Sequence, residues 1–357
     1  MRDAIVFSTW DWKTFNVPER IALSLALGGF RVLYCEMPVS QFRRHGAPLR
    51  EVSAGVHAFG PEYLGAKLGG VPALGAWQWK LVARQIQRQA ESLGMSKPLF
   101  LYSHVAGLAP LCREMRARGS RLIHICMDYP ESYQYELIAL SDRTLVIPKT
   151  VFQKLRARYG EKIYSIPQSV HFPSTQPNQG ALPTLAAELA GVPRPWLGYL
   201  GPIYARLNLP LLRRVLEARS YWHFVCFGDS SALRLPNVHS VPWRPPDELT
   251  SFVASFDAGV MPYDCFDEKN LHCVPLKLFE YFAAGLPVVS TPVISLGEFP
   301  NLIYFGETAT EFTAAIERAL AEPPDSPKRR QRAEVARAHS TEALGRRLEE
   351  VLDFNGK

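Results

Sequence analysis

The chain has 357 residues, enough for about two domains, with 47% hydrophobic and 21% charged residues, and this composition excludes a disordered or fibrous polypeptide. No apolar run reaches the roughly 18 residues of a membrane span, and the opening Met1-Arg2-Asp3 passes at once into a strand-like run, so no signal peptide is expected and the expected location is cytoplasmic. A net charge of +6 suits an acidic partner such as a nucleotide diphosphate, lipid phosphates or an anionic membrane face, while no nucleic-acid module is recognisable and the six scattered cysteines have neither disulfide-framework nor zinc spacing.

In chain order, Ala4–Ser8 reads as a strand, followed by the loop Thr9–Phe15. Asn16 is placed to cap a helix, with Pro18 in its first turn and Glu19 at the capping-box position; the helix should run to Leu27 and stop at Gly28-Gly29. Arg31–Cys35 is the next strand, which completes a βαβ opening. Residues 41–95 form a basic, aromatic and glycine-rich insert that fits either a membrane-facing surface or a loop and helix packed on the sheet. Further strands are expected at Leu99–Ser103, Arg121–Met127, Arg143–Ile147 and Ile163–Ile166. Helices are expected at Trp77–Leu93, Gly107–Arg118, Tyr133–Leu140 and Val151–Tyr159.

The polar, breaker-rich stretch Phe172–Gly180 marks a linker, and the strand–helix alternation then restarts. Strands are predicted at Pro195–Leu200, His223–Phe227, Val238–Ser240, Asp257–Met261, Leu286–Ser290 and Leu302–Phe305. Helices are predicted at Leu209–Ala218, Pro246–Ala254, Leu276–Ala284 and Ala309–Ala321, followed by a charged helical tail from Lys328 to Asp353. The expected domains are 1–171, a linker 172–194, a second domain 195–338 and a closing helix 339–357. Cys35, Cys126 and Cys226 fall in strand-like runs and read as core.

The most informative segment is Val274 to Thr291. Pro275 suits the first turn of a helix, Gly285 suits its C′ position, and Leu276, Phe279, Tyr281, Phe282 and Ala283 make the helix apolar on most sides. Glu280 breaks that pattern. A buried carboxylate needs hydrogen-bond donors, and either an arginine or a ligand's hydroxyls can supply them.

This segment resembles the donor-nucleotide motif of GT-B glycosyltransferases, in particular the retaining family-4-like group (glycosyltransferase group 1). The resemblance implies an α/β fold: two Rossmann-like doubly wound domains facing a cleft, with the C-terminal helix crossing back to the N-terminal domain. His339-Ser340-Thr341 stands where that family bends, and Leu344, Leu348, Val351 and Leu352 would give the last helix its apolar stripe. By resemblance, Val274, Pro275 and Leu276 bring the helix N-terminus to the donor diphosphate, where amide groups and the helix dipole favour an anion, and Glu280 holds the ribose. Gly201 lets backbone approach the phosphates, and Arg206 and Lys277 offer cations. Gly228 and Asp229 end the next strand beside the base, and Trp243 is either a wall of the base pocket or core.

One position departs from the family pattern. Its first glutamate, eight residues before the ribose-binding one, is His272 here, so the sugar contacts pass to Asn270, His272 and the backbone of Cys273 and Val274. On the first-domain side, Asp128 ends a strand where the family places His-Asp, and Met127 precedes it. Its expected role is polar positioning of sugar or acceptor. His104 ends the neighbouring strand as a candidate proton acceptor or a structural histidine. Trp10 and Trp12 flank Asp11, an arrangement that fits either sugar stacking with a carboxylate accepting from hydroxyls or simple packing. Asp264, Asp267 and Glu268 do not form a DxD metal motif, and neither metal nor cofactor is expected.

The implied activity is transfer of a sugar from a nucleotide-diphosphate donor to a glycan, lipid-linked or small-molecule hydroxyl. The setting would be surface-polysaccharide synthesis, with peripheral contact at the inner membrane face. Two rivals stand beside it. One is a nucleotide-sugar isomerase or hydrolase on the same fold, which would need more carboxylates than this chain offers. The other is a non-catalytic nucleotide-sugar-binding protein, for which His272 and Met127 speak.

Overall fold

The computed structural model describes residues 2–12, 16–41, 45–64, 75–103, 105–170, 189–201, 203–204, 206–243, 249 and 252–354. The chain divides into two compact units, Met1–Ser169 with Thr341–Lys357, and Val170–Ser340.

In the first unit, β1 (Arg2–Phe7), α1 (Val17–Leu27) and β2 (Phe30–Cys35) form the expected βαβ start. They are followed by β3 (Val39–Ser40), β4 (Arg50–Ser53), β5 (Val56–Phe59), β6 (Glu62–Tyr63) and α2 (Ala76–Ser92). The rest is β7 (Leu99–Tyr102), α3 (Ala109–Ala117), β8 (Leu122–Cys126), α4 (Gln134–Leu140), β9 (Arg143–Val146), α5 (Lys149–Tyr159) and β10 (Ile163–Ser165). The sheet order is β10-β9-β8-β7-β1-β2-β5-β4. All its pairs are parallel except β4 with β5. Helices cover both faces of such a sheet, which is why β8 is apolar but for His124 and wholly buried.

Three short strands of the insert, β4, β5 and β6, correct its reading as a loop and helix. The tracts 42–44 and 65–74 of that insert lie outside the described residues. Asn16 does occupy the N-cap of α1, but its side chain makes no capping bond there.

The second unit is built from β11 (Trp196–Tyr199), α6 (Leu209–Ala218), β12 (His223–Phe227), β13 (Val238–Val241), β14 (Ala258–Met261), α7 (Glu268–Leu271) and α8 (Leu276–Ala283). It continues through β15 (Val288–Ser290), β16 (Ile303–Phe305), α9 (Ala309–Leu320) and α10 (Pro327–Ala338). All its strands are parallel, in the order β13-β12-β11-β14-β15-β16. Numbered within the unit this is 3-2-1-4-5-6, the Rossmann order, with its reversal between β11 and β14. Most of the predicted helix Pro246–Ala254 and of the linker 172–194 lies outside the described residues.

The charged helical tail is two helices, α10 and then α11 (Thr341–Leu352), parted at the bend expected from the resemblance. The break comes at His339, whose ring stacks on Phe279 at 4.1 Å and whose carbonyl accepts from Val170 at 2.8 Å. α11 packs on α1 within the first unit. Gly345 makes the approach possible, since a Cβ there would stand 2.9 Å from the Ser24 carbonyl oxygen. Leu344, Leu348, Val351 and Leu352 are all buried, as the stripe predicts. Cys35, Cys126 and Cys226 are buried strand residues.

Candidate functional site

In an open α/β sheet the crevice at the strand-order reversal, beyond the carboxyl ends of the strands, is where ligands bind. In the second unit that point is the loop after β11 and the loop after β14. Gly201 follows β11 with φ +142, a backbone state that favours glycine. The loop then turns back so that Leu207 pairs with Tyr263, next to the end of β14. Asn208 closes it: its N–H donates to the Pro262 carbonyl at 2.8 Å and its Oδ1 accepts from Leu211 N–H at 3.0 Å, capping α6. Arg206 is thereby held beside β14.

Helix α8 meets this loop with its N-terminus. Pro275 is the N-cap in extended conformation, one residue earlier than the first-turn position read from the sequence. Gly285 does stand at C′, with φ +66. Gly285 N–H donates to the Phe282 carbonyl and Leu286 N–H to the Tyr281 carbonyl, each at 2.9 Å, which is a Schellman stop. Tyr281 fixes the helix to β11, its hydroxyl donating to the Gly198 carbonyl at 3.1 Å and accepting from Leu200 N–H at 3.0 Å. Its ring lies on Gly259 of β14, where a Cβ would come within 2.6 Å of it. Glu280, 9% exposed, lies one turn into α8 on its buried side.

Lys277 is half-buried in the first turn. Its Nζ donates to the hydroxyls of Tyr199 and Tyr263 at 3.1 Å each, and it sits 4.1 Å from the centre of the Tyr199 ring. A Cβ on Gly201 would be 3.8 Å from that Nζ, so the glycine loop and the lysine border the same space. Burial pushes the Lys277 pKa down to about 7; Cys273 opposes it, and the charge of Arg206 adds a lesser push downward. Two cations and a helix N-terminus therefore converge where the strand order reverses. An ammonium already disfavoured by burial and by a neighbouring guanidinium gains from an arriving anion.

Asn270 corrects one expectation. It is fully buried. Its Oδ1 accepts from Arg206 Nε at 2.7 Å, and its Nδ2 donates to the carbonyls of Arg206 at 3.0 Å and Asp264 at 2.8 Å. With all three bonds made inside the protein, this side chain is not placed to hold a sugar. His272 is the C-cap of α7, also buried, with Nε2 3.6 Å from the Glu268 carboxylate. Asp264 accepts from Phe266 N–H at 3.0 Å, and Asp267 caps α7 by accepting from Lys269 N–H at 2.9 Å, so these carboxylates shape the loop.

Gly228, φ +85, turns the chain after β12. The carboxylate of Asp229 accepts from Ser231 N–H and Oγ at 2.8 Å each, and these bonds hold its pKa below the usual value. Trp243 is 60% exposed, its ring centre 5.9 Å from that of Phe227, which removes the core alternative for it.

In the first unit the strand order reverses between β1 and β7, and the predicted residues follow the ends of these strands and of β8. Trp10, half-buried, donates through its N–H to Ser8 Oγ at 3.0 Å and accepts at its carbonyl from the Tyr34 hydroxyl at 3.2 Å. Trp12 donates through its N–H to the buried Glu36 carboxylate at 3.0 Å, and its ring meets Tyr34 edge-on at 5.0 Å. The two tryptophans are thus tethered by β2 and the residue after it, while Asp11 between them is exposed. Glu36 also pairs with Arg50 of β4, so the strand missed in the sequence helps anchor this loop. Asp128 is half-exposed two residues beyond β8, its carbonyl accepting from Cys126 Sγ at 3.3 Å. His104 lies outside the described residues.

Residues 208–353 match the family model described as glycosyl transferase-like. A Bacillus subtilis (strain 168) protein, provisionally named teichuronic acid biosynthesis glycosyltransferase TuaH, is 30% identical over 213 residues, 56% of this chain. The match spans 53% of that relative, about half its length. Among solved structures, Anabaena Alr3699/HepE in complex with UDP and glucose superposes with a TM-score of 0.69 at 12% identity, covering 99% of this chain and 100% of the other. A UDP-forming trehalose-phosphate synthase from Burkholderia xenovorans, in complex with glucose-6-phosphate, gives a TM-score of 0.69 at 11% identity over 99% and 100% of the two chains. At such identities these likenesses establish the fold, which is GT-B, as the donor-motif resemblance implies.

Proposed function

We propose that this chain, a GT-B protein whose residues 208–353 form a glycosyl transferase-like domain, moves a sugar from a nucleoside-diphosphate donor to a hydroxyl acceptor with retention of configuration. One observation carries the reading: Gly201, Arg206, Lys277 and the N-terminus of α8 converge at the strand-order reversal of the second unit. Negative charge develops on the departing diphosphate in the transition state. Fixed cations and aligned amides at that spot lower the barrier more than they tighten the ground state. Arg206, Lys277 and the helix N-terminus fill that role, Glu280 accepts from the ribose hydroxyls, and the reading assigns no step to a metal. Trp243 and the Gly228 turn border the base. Asp128, Asp11 and the two tethered tryptophans, with His104, serve the acceptor side.

UDP is the first donor nucleotide to test, because the HepE structure contains it. The naming of the Bacillus relative supports a setting in surface-polysaccharide assembly, with a glycan or lipid-linked acceptor. Among the described residues no helix is long and apolar enough to cross a membrane. Peripheral contact with an anionic membrane face fits the exposed side of α2, which presents Trp77, Lys80, Arg84 and Arg88.

The test is calorimetric titration with UDP, GDP, ADP and dTDP, repeated on Glu280→Ala and Arg206→Ala. Binding of one nucleotide in the micromolar range, weakened in both variants, supports the donor site and names its base. Release of sugar from the matching donor only when acceptor is present distinguishes transfer from hydrolysis and from mere binding. Failure to bind any of the four would sink the reading.

A further inference from the structure

We infer that Asn270 is a positioning residue for the donor diphosphate, acting through Arg206; the inference rests on the donor-site reading above. An arginine on a loop has several rotatable bonds, and a phosphate that must first immobilise it gains less from the contact. Here that ordering is built in. Asn270 takes the Nε–H of Arg206 at 2.7 Å, which fixes the plane of the guanidinium. Through its amide nitrogen it also holds the Arg206 carbonyl at 3.0 Å and the Asp264 carbonyl at 2.8 Å, so one side chain grips both the head and the backbone of the arginine. A second tie on the same backbone runs from Asp264 N–H to the Arg206 carbonyl at 2.9 Å.

The two residues are 64 apart in sequence, and full burial of Asn270 removes competition from water for these bonds. Asparagine suits this task where a carboxylate would not. A neutral acceptor fixes the guanidinium without cancelling its charge, and the same amide supplies the donors that two carbonyls need. The charge so preserved lies close enough to Lys277 to depress its pKa, so both cations act on one space.

The experiment measures affinities for whichever of UDP, GDP, ADP and dTDP binds best and for the nucleoside of the same base. The proteins are the wild type, Arg206→Ala, Asn270→Ala and the double variant. Asn270→Ala should weaken the diphosphate about tenfold and leave the nucleoside within about twofold, as expected for one charge-assisted contact. Made on top of Arg206→Ala, Asn270→Ala should cost little more, because it acts only through that arginine. Equal losses for diphosphate and nucleoside would mark Asn270 as a general prop of the fold and overturn the inference, as would full additivity or unchanged binding.

Arg206→Lys covers the case in which Asn270→Ala does not fold. Lysine keeps the charge but lacks the planar fork that Asn270 grips, so it should lose most of what Arg206→Ala loses; full retention of diphosphate affinity would overturn the inference. Absence of diphosphate binding to the wild type would instead refute the donor site itself.

Discussion

Replacing Lys277 by Met should abolish a proton uptake that accompanies donor binding in the wild-type protein. The amine is held between the hydroxyls of Tyr199 and Tyr263, and burial, then Arg206, push its pKa down to about 7. A phosphate charge about 4 Å from the amine, at an effective dielectric constant of about 20, is worth about 4 kcal/mol, or about 3 pKa units. The bound amine then keeps its proton to about pH 10, while in the free protein it is half lost near about pH 7. Below that range both states are charged and no proton moves. Between about pH 7 and about pH 9 only the complex is charged, so binding takes up a proton and affinity falls as pH rises, by up to about 100-fold across the window. A terminal phosphate loses its last proton near about pH 6, too low to compensate. The other groups facing the amine are Arg206, Cys273 and the two tyrosines; burial pushes both tyrosine hydroxyls well above their ordinary value, so they stay neutral here. Calorimetry in two buffers of different ionisation enthalpy, at about pH 6 and about pH 8, reads the uptake directly. Equal affinity at both ends of the window, or uptake that survives in Lys277→Met, would refute the reasoning.

Two further substitutions test what holds the second unit in shape. Glu322→Gln leaves the guanidinium of the fully buried Arg332 without the carboxylate it grips at 2.6 and 2.8 Å, and should cost about 3–5 kcal/mol in urea denaturation; a loss under about 1 kcal/mol would count against it. Burial alone would raise the Glu322 pKa, but hydrogen bonds from Arg332 and Tyr304 outweigh it and hold the pKa below the ordinary 4.5. The sign follows: this pair's stabilisation is complete above that value and is lost as pH falls below it, and the variant should lack that acid-dependent part. Tyr281→Phe strips the hydroxyl bridging the Gly198 carbonyl and Leu200 N–H, leaves buried backbone groups unpaired, and should lower stability by about 1–3 kcal/mol. Because that bridge sets α8 against the Gly201 loop, diphosphate affinity should fall with it, and an unchanged affinity would show that the helix is placed by other contacts.

Buried parallel strands were legible because they are mostly apolar on both faces: β8, Leu-Ile-His-Ile-Cys, apolar but for His124, reads as a covered strand or a short buried helix, and its flanks decide. The edge strand β4, Arg-Glu-Val-Ser, carries no such mark. It is antiparallel, largely open to solvent and charged, and its pairing with β5 includes a register shift. The break between α10 and α11 was readable only through the resemblance, since local propensity favours one long helix and the His339–Phe279 stack that accompanies the turn is a tertiary contact. Lys277 and Glu280 stood out because they are the only charged residues on an otherwise apolar helix. Tyr199 and Tyr263 did not, and Asn270 stood out for the wrong role, because each acts on a residue 14 to 78 positions away and nothing in its own neighbourhood says so.

The loop from Asp264 to His272 shows why residue type alone misplaces chemistry. By type it is the most reactive stretch of the second unit, with two aspartates, a glutamate, an asparagine and a histidine. Yet Asp264 and Asp267 bind backbone amides of their own loop, and Asn270 spends all three of its bonds on Arg206 and Asp264. Backbone turned this tightly leaves amides and carbonyls that must find partners, and short polar side chains are the cheapest local supply. What the loop delivers is the placement of one guanidinium, next to an amine already short of solvent. A site built on two cations and a helix N-terminus, with the carboxylates of Asp264 and Asp267 bound to loop amides, is suited to receiving negative charge on a leaving group. It is poorly suited to the paired acid–base work that a hydrolase or isomerase needs.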